Sequence, residues 1–301
     1  MPLHPLAKAF LDLPFVAASG PLHMLSVREA REQFDEQGKL MPPGEPVARV
    51  EDLAVPGAAG DIPVRVYTPE GSGPFPVYVY FHGGGWVIGN LDSQDADCRA
   101  IANAAACVVV SVNYRHAPEH KFPAAPEDAY RATQWVSDNA FRLNGDGAHL
   151  AVGGMSAGGN LAAVVTLMAR DHGSPLIGFQ MLIVPVTNYA FDTRSYAENG
   201  DGYVLTRDAM RWFWGHYLST PADGANPHAS PLRAPDLRGL PPAFILTAEY
   251  DPLRHEGQAY AERLREAGVA VAHKCYEGML HMVLGPEAVR DMAERLRSAF
   301  A

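Results

Sequence analysis

Two glycine-rich turns, each closing a strand-like run, limit what this chain can become more than any other feature. His82-Gly83-Gly84-Gly85 ends the apolar run from Pro76 to Phe81, and Gly154-Met155-Ser156-Ala157-Gly158 follows the strand pattern His149–Gly153. The first reads as a buried strand running into a backbone that few residues adopt. The second reads as strand, sharp turn and helix, with a serine at the apex. Together they supply a nucleophile and a set of N–H donors for a developing oxyanion, which points to acyl transfer.

The rest of the chain alternates in a way that fits this reading. Val47–Val55 and Ile62–Tyr67 are expected as antiparallel strands turned around Gly57–Gly60. Strands then follow over Phe75–Phe81, Cys107–Val112, His149–Gly153, Ile177–Val184, Ala243–Thr247 and Val269–Tyr276. Helices are expected at Gln94–Ala105, Pro126–Asn139, Ala157–Arg170, Ala259–Ala267 and Glu287–Phe300. Short all-apolar strands separated by helices predict an α/β fold with a mostly parallel sheet covered on both faces.

Two stretches stand outside that alternation. The first 37 residues have a helical pattern, with a capped start at Ser26. The segment between the strands ending at Val184 and starting at Ala243 far exceeds a usual connection and holds an aromatic helix, Thr206–Leu218. The predicted organisation is therefore a helical cap made of residues 1–45 and 187–225, over a catalytic domain of residues 46–186 and 226–301.

Among 301 residues, 24 are basic and 34 acidic, a net charge of −10 that argues against a nucleic-acid surface. No apolar stretch is long enough to span a bilayer and no secretory signal is visible. Three widely separated cysteines, Cys98, Cys107 and Cys275, lack metal spacing and suit a reducing compartment, so the expected location is the cytoplasm.

A serine hydroxyl needs a base within hydrogen-bond reach and an acid that orients the base. Ala157, opening the helix after Ser156, is expected to offer one oxyanion donor, with Gly84 and Gly85 as the others and Gly83 in the turn. In this architecture the acid and then the histidine follow later strands. Four histidines come after residue 217: His228, His255, His273 and His281. Of these, His281 lies in the loop after the last strand, where a base must be. For the acid, Glu249 and Asp251 both qualify; Asp251 is favoured because Pro252 holds it extended towards the next helix.

These residues resemble the bacterial hormone-sensitive-lipase-like (family IV) carboxylesterases of the α/β-hydrolase fold. The resemblance runs through Tyr80-Phe-His-Gly-Gly-Gly-Trp86, Val112–His120, Phe122–Ala129, Gly154–Asn160 and Glu249–Arg254. It implies Ser156, Asp251 and His281 as the triad, an oxyanion hole from the glycine loop and Ala157, a helical cap, and no metal or organic cofactor. His82 is then expected to anchor its loop rather than to react. The chain departs from the family pattern at Met155, where Asp or Thr is usual, and at His255, where an acid often stands. Met155 is expected either to present an apolar surface near the acyl site or to be a neutral core substitution. Trp86, Leu205, Trp212 and Phe213 are the other expected pocket residues, though consecutive residues 212–214 cannot all face a substrate.

The implied activity is hydrolysis of short-to-medium acyl or aryl esters through an acyl-enzyme. The expected partner is a small-molecule ester, with no nucleic acid and no stable membrane insertion; a homodimer stays open. Some relatives, the plant gibberellin receptors, bind a hormone in this pocket after losing the histidine, and His281 argues against that role here. The triad itself does not separate esters from amides or carbamates.

Overall fold

The computed structural model describes residues 2–301. Its centre is one eight-stranded sheet built from β1 (Arg49–Gly57), β2 (Gly60–Thr68), β3 (Phe75–Phe81), β4 (Val108–Val112), β5 (Gly145–Met155), β6 (Phe179–Ile183), β7 (Ala243–Tyr250) and β8 (Val271–Leu280). The spatial order is β1-β2-β4-β3-β5-β6-β7-β8. β1 and β2 form the expected antiparallel hairpin, β2 pairs antiparallel with β4, and every pair from β4 to β8 is parallel.

Side chains alternate across the sheet with the period of two that a strand imposes. Val77, Val79 and Phe81 enter the core beneath α5 (Ala124–Asn139), α6 (Ala157–His172) and α9 (Arg254–Glu266). Tyr78 and Tyr80 enter the opposite core, beneath α4 (Asp95–Ala105) and α10 (Gly285–Phe300). Both faces are thus covered, which is why the central strands carry no exposed polar face. Among the described residues no helix is long and apolar enough to cross a membrane.

Several boundaries move from those expected, each for a local reason. α5 starts at Ala124, two residues before Pro126, because a proline in the first turn forfeits no intrahelical bond. α9 starts at Arg254, five residues early; its first turn, Arg254-His255-Glu256, hides its buried face behind charged residue types. The N-terminal segment is α1 (Pro5–Leu11), α2 (Pro14–Ala17), a 3₁₀ turn at Leu22–Met24 and α3 (Val27–Lys39), broken where Pro14 and Gly20-Pro21 interrupt the helical pattern. Residue 1, the first of the expected cap span, lies outside the described residues. α3 opens with the predicted capping box between Ser26 and Glu29. Between β6 and β7 lie α7 (Arg194–Asn199), which the pattern does not announce, and α8 (Arg207–Tyr217).

Candidate active site

The loops after β3, β5, β7 and β8 leave the carboxyl ends of parallel strands and therefore meet at one edge of the sheet. The loop after β5 is a single residue. Ser156 has φ 58° and ψ −117°, a conformation that non-glycine residues rarely adopt. It is held by its own backbone, with its N–H donating to the Ile183 carbonyl at 2.8 Å and its carbonyl accepting from Asn160 at 2.9 Å. The turn is tight enough that a Cβ on Gly154 or Gly158 would fall 2.3 or 1.9 Å from the Phe81 carbonyl oxygen. Glycine at both positions is what lets β3, β5 and α6 approach this closely.

The Ser156 hydroxyl lies 3.0 Å from His281 Nε2, and His281 Nδ1 lies 2.8 Å from Asp251 Oδ2. With Nδ1 protonated the imidazole donates to the carboxylate and keeps a lone pair for the serine. The second Asp251 oxygen accepts the Leu253 N–H at 2.9 Å, so both carboxylate oxygens are engaged. His281 follows β8 in a hooked turn that Leu280 and Val283 close with reciprocal backbone bonds, Met282 taking φ 71°. All three side chains are buried.

The other candidates from the sequence have different partners. Glu249 accepts the Gly278 N–H at 2.7 Å and ties the ends of β7 and β8 together. His273 Nε2 pairs with Thr247 Oγ1 at 3.0 Å. His255 donates its backbone N–H to Ser195 Oγ at 3.2 Å, while burial lowers the pKa of its ring.

After β3 the chain passes through Gly84 at φ 115° and Gly85 at φ 57°. The Gly84 carbonyl accepts from both Val87 and Ile88 at 3.0 Å, so the loop is a closed turn in itself. His82 is fully buried beneath it, stacked 4.5 Å from Tyr114, with Nδ1 2.7 Å from the Gly83 carbonyl. Burial lowers the His82 pKa to about 4, so the ring stays neutral. On the far side Ala157, as first residue of α6, has an N–H with no partner inside its helix.

Ser156, His281 and Gly83–Gly85 border a cavity of about 760 Å³. Phe10, Leu22 and Phe34 reach it from the N-terminal segment, and Leu205 and Phe213 from the insertion. Met155 lines it too, and its sulfur also accepts from Gln94 Nε2 at 3.2 Å. Two expected pocket residues need correction, because neither Trp86 nor Trp212 lines the cavity. Trp86, turned by φ 62°, stacks 4.1 Å from Tyr217 in a buried aromatic cluster with Trp214. Trp212 sits about 100° around α8 from Phe213 and packs edge-on to His216 at 4.4 Å. Sequence reasoning missed the N-terminal lining residues Phe10, Leu22 and Phe34, and it missed Gln94, which the pattern absorbs as the first residue of a helix and the structure places at its N-cap.

Comparison with known proteins agrees with the fold. The family description of the alpha/beta hydrolase fold matches residues 78–285. The carboxylic ester hydrolase LipN of Mycobacterium tuberculosis is 46% identical over 77% of this chain and 63% of its own length. The chain thus spans less than two thirds of that relative. The carboxylesterase NlhH of the same organism is 43% identical over 93% of this chain and 88% of its own. Among solved structures, a hyperthermophilic esterase from the archaeon Pyrobaculum calidifontis superposes with a TM-score of 0.95 at 43% identity, covering 100% of both chains. On the matched segment and these identities, the chain belongs to the alpha/beta hydrolase family.

Proposed function

We propose that the protein is a serine carboxylesterase acting through an acyl-enzyme. The observation that carries this reading is the unbroken relay from Asp251 through His281 to Ser156, opening on an apolar cavity. Its relatives' names, carboxylic ester hydrolase and carboxylesterase, support the same reaction.

In this mechanism His281 Nε2 takes the Ser156 proton as Oγ bonds to the ester carbonyl carbon. The carbonyl electrons move onto oxygen, and the N–H groups of Gly84, Gly85 and Ala157 receive that charge. Collapse breaks the bond to the leaving oxygen, to which His281 returns the proton. Water then repeats the sequence and releases the acid. Asp251 holds the imidazole in its tautomer and stabilises the imidazolium without taking a proton.

Residues 1–45 and 187–225 act as the cap, since both supply cavity walls. Their aromatic and aliphatic lining suits short-to-medium acyl or aryl esters. The three cysteines are unpaired, two of them buried, which fits a reducing compartment such as the cytoplasm.

A series of p-nitrophenyl esters graded in acyl length, read with a serine-reactive phosphonate and peptide mass mapping, tests the assignment. The phosphonate should label Ser156. Ser156→Ala and His281→Ala should each lower kcat by about 10⁶, whereas His255→Ala should keep most activity. A His255→Ala variant that is dead beside an active His281→Ala would overturn the choice of base.

A further inference from the structure

The glycine loop after β3 is fixed one peptide plane at a time. A trans peptide points its carbonyl and its N–H to opposite sides. In the His82–Gly83 peptide, the Tyr114 hydroxyl donates to the His82 carbonyl at 2.8 Å, and the Gly83 N–H donates to Gln94 Oε1 at 2.7 Å. In the Gly83–Gly84 peptide, His82 Nδ1 donates to the Gly83 carbonyl, which sends the Gly84 N–H the other way. The aim of that N–H therefore depends on both planes being held. Gln94 is the group that holds the N–H side of the first.

Gln94 is oddly placed for a residue of merely local use. It occupies the N-cap of α4, yet its side chain makes no bond to that helix. It is 7% exposed and lines the cavity. Its amide nitrogen donates to the sulfur of Met155, the residue before Ser156. A thioether is a weak acceptor and never a donor, so this contact decides which end of the carboxamide faces Gly83. Reversed, the NH₂ group would meet the Gly83 N–H donor to donor.

We propose that Gln94 is a positioning residue for ester hydrolysis, locking the His82–Gly83 peptide so that the Gly84 N–H stays aimed at the oxyanion. The inference rests on the reading of Ser156 as nucleophile. A donor that tightens on its partner only as charge develops contributes to kcat more than to KM. Losing the lock should therefore slow turnover without weakening substrate binding.

Gln94→Leu, Gln94→Met and Gln94→Glu, assayed on p-nitrophenyl butyrate, test this. The Leu and Met variants should lose about 10–100-fold in kcat, as a misplaced group near the chemistry does, with KM little changed. A trifluoromethyl ketone, which forms an oxyanion on the serine, should lose affinity in parallel. Gln94→Glu keeps an acceptor for the Gly83 N–H but loses the donor to Met155 and adds a negative charge near the oxyanion, so it should recover only part of kcat. Should Gln94→Leu fail to fold, the Met and Glu variants carry the same comparison. Wild-type kcat in a folded Leu or Met variant, unchanged affinity for the trifluoromethyl ketone in those variants, or a loss confined to KM would overturn the inference. Ser156→Ala run alongside keeps the two readings apart: if that variant is active, the catalytic reading falls instead.

Discussion

Ser156 is held in a backbone conformation that costs of order 1–3 kcal/mol for a residue with a Cβ. Glycine visits the mirror of the extended region freely, so it should relieve that strain at the expense of some unfolded-state entropy. Ser156→Gly should therefore melt above Ser156→Ala, by about 2–4 °C for each kcal/mol released. Calorimetry on the two inactive variants measures this, and a Gly variant melting at or below the Ala variant would show that the elbow is relaxed. Ser156 was legible as the apex of its turn because the turn has its own sequence pattern. His281 and Asp251 were legible because each follows a later strand. The contact between Gln94 and Met155 was not, since it joins residues 61 positions apart by a pairing of residue types that no periodicity announces. Trp86 was misread for a related reason. Its ring leaves a left-handed turn towards Tyr217, a direction set by φ and not by its place beside the glycines.

At the scale of elements, α9 is joined to the chain after β6 by a buried carboxylate. Glu256 Oε1 accepts the Thr187 N–H at 2.7 Å and the Asn188 N–H at 3.2 Å. Burial pushes its pKa well up; the two N–H groups pull it back, and nearby Asp251 adds to the rise. The folded protein thus keeps a proton that the unfolded chain sheds above its ordinary value, about 4.3. Stability contributed by this group is complete below that value and is lost as pH rises towards the folded pKa. Glu256→Gln has no proton to lose. Its melting temperature relative to wild type should therefore be more favourable at pH 8 than at pH 5. A difference that is flat, or that grows towards acid, would show Glu256 to be an ordinary ionised carboxylate. The same residue explains why the onset of α9 was illegible, for a buried glutamate breaks the apolar period that marks a helix face. The central strands were legible because their short, mainly apolar runs, alternating with helices, suit a sheet buried on both sides.

At the scale of the whole molecule, the sheet brings four loops to one edge, while two segments distant in sequence wall the cavity above them. The alternation of strands and helices made the sheet legible, and the overlong connection marked the insertion. Which aromatic of α8 turns inward depends on the helix's rotation against the sheet, and the run Trp212-Phe213-Trp214 does not settle that. The structure selects Phe213: a Cβ on Gly85 would lie 2.1 Å from its ring, so the ring sits directly over the glycine loop. On the proposed reading, this ring is a stop for the substrate chain. Each methylene buried before the stop adds about 0.8 kcal/mol, or about fourfold in kcat/KM, and none is gained beyond it. Wild-type kcat/KM should thus climb along a p-nitrophenyl series from acetate and turn down at short-to-medium length. Phe213→Ala should move the maximum outward by about two methylenes, while the relay from Asp251 to Ser156 stays intact and phosphonate labelling persists. If the maximum stays put in a variant that still labels, chain length is limited by another wall of the cavity, and the N-terminal side chains Phe10 and Phe34 become the residues to truncate.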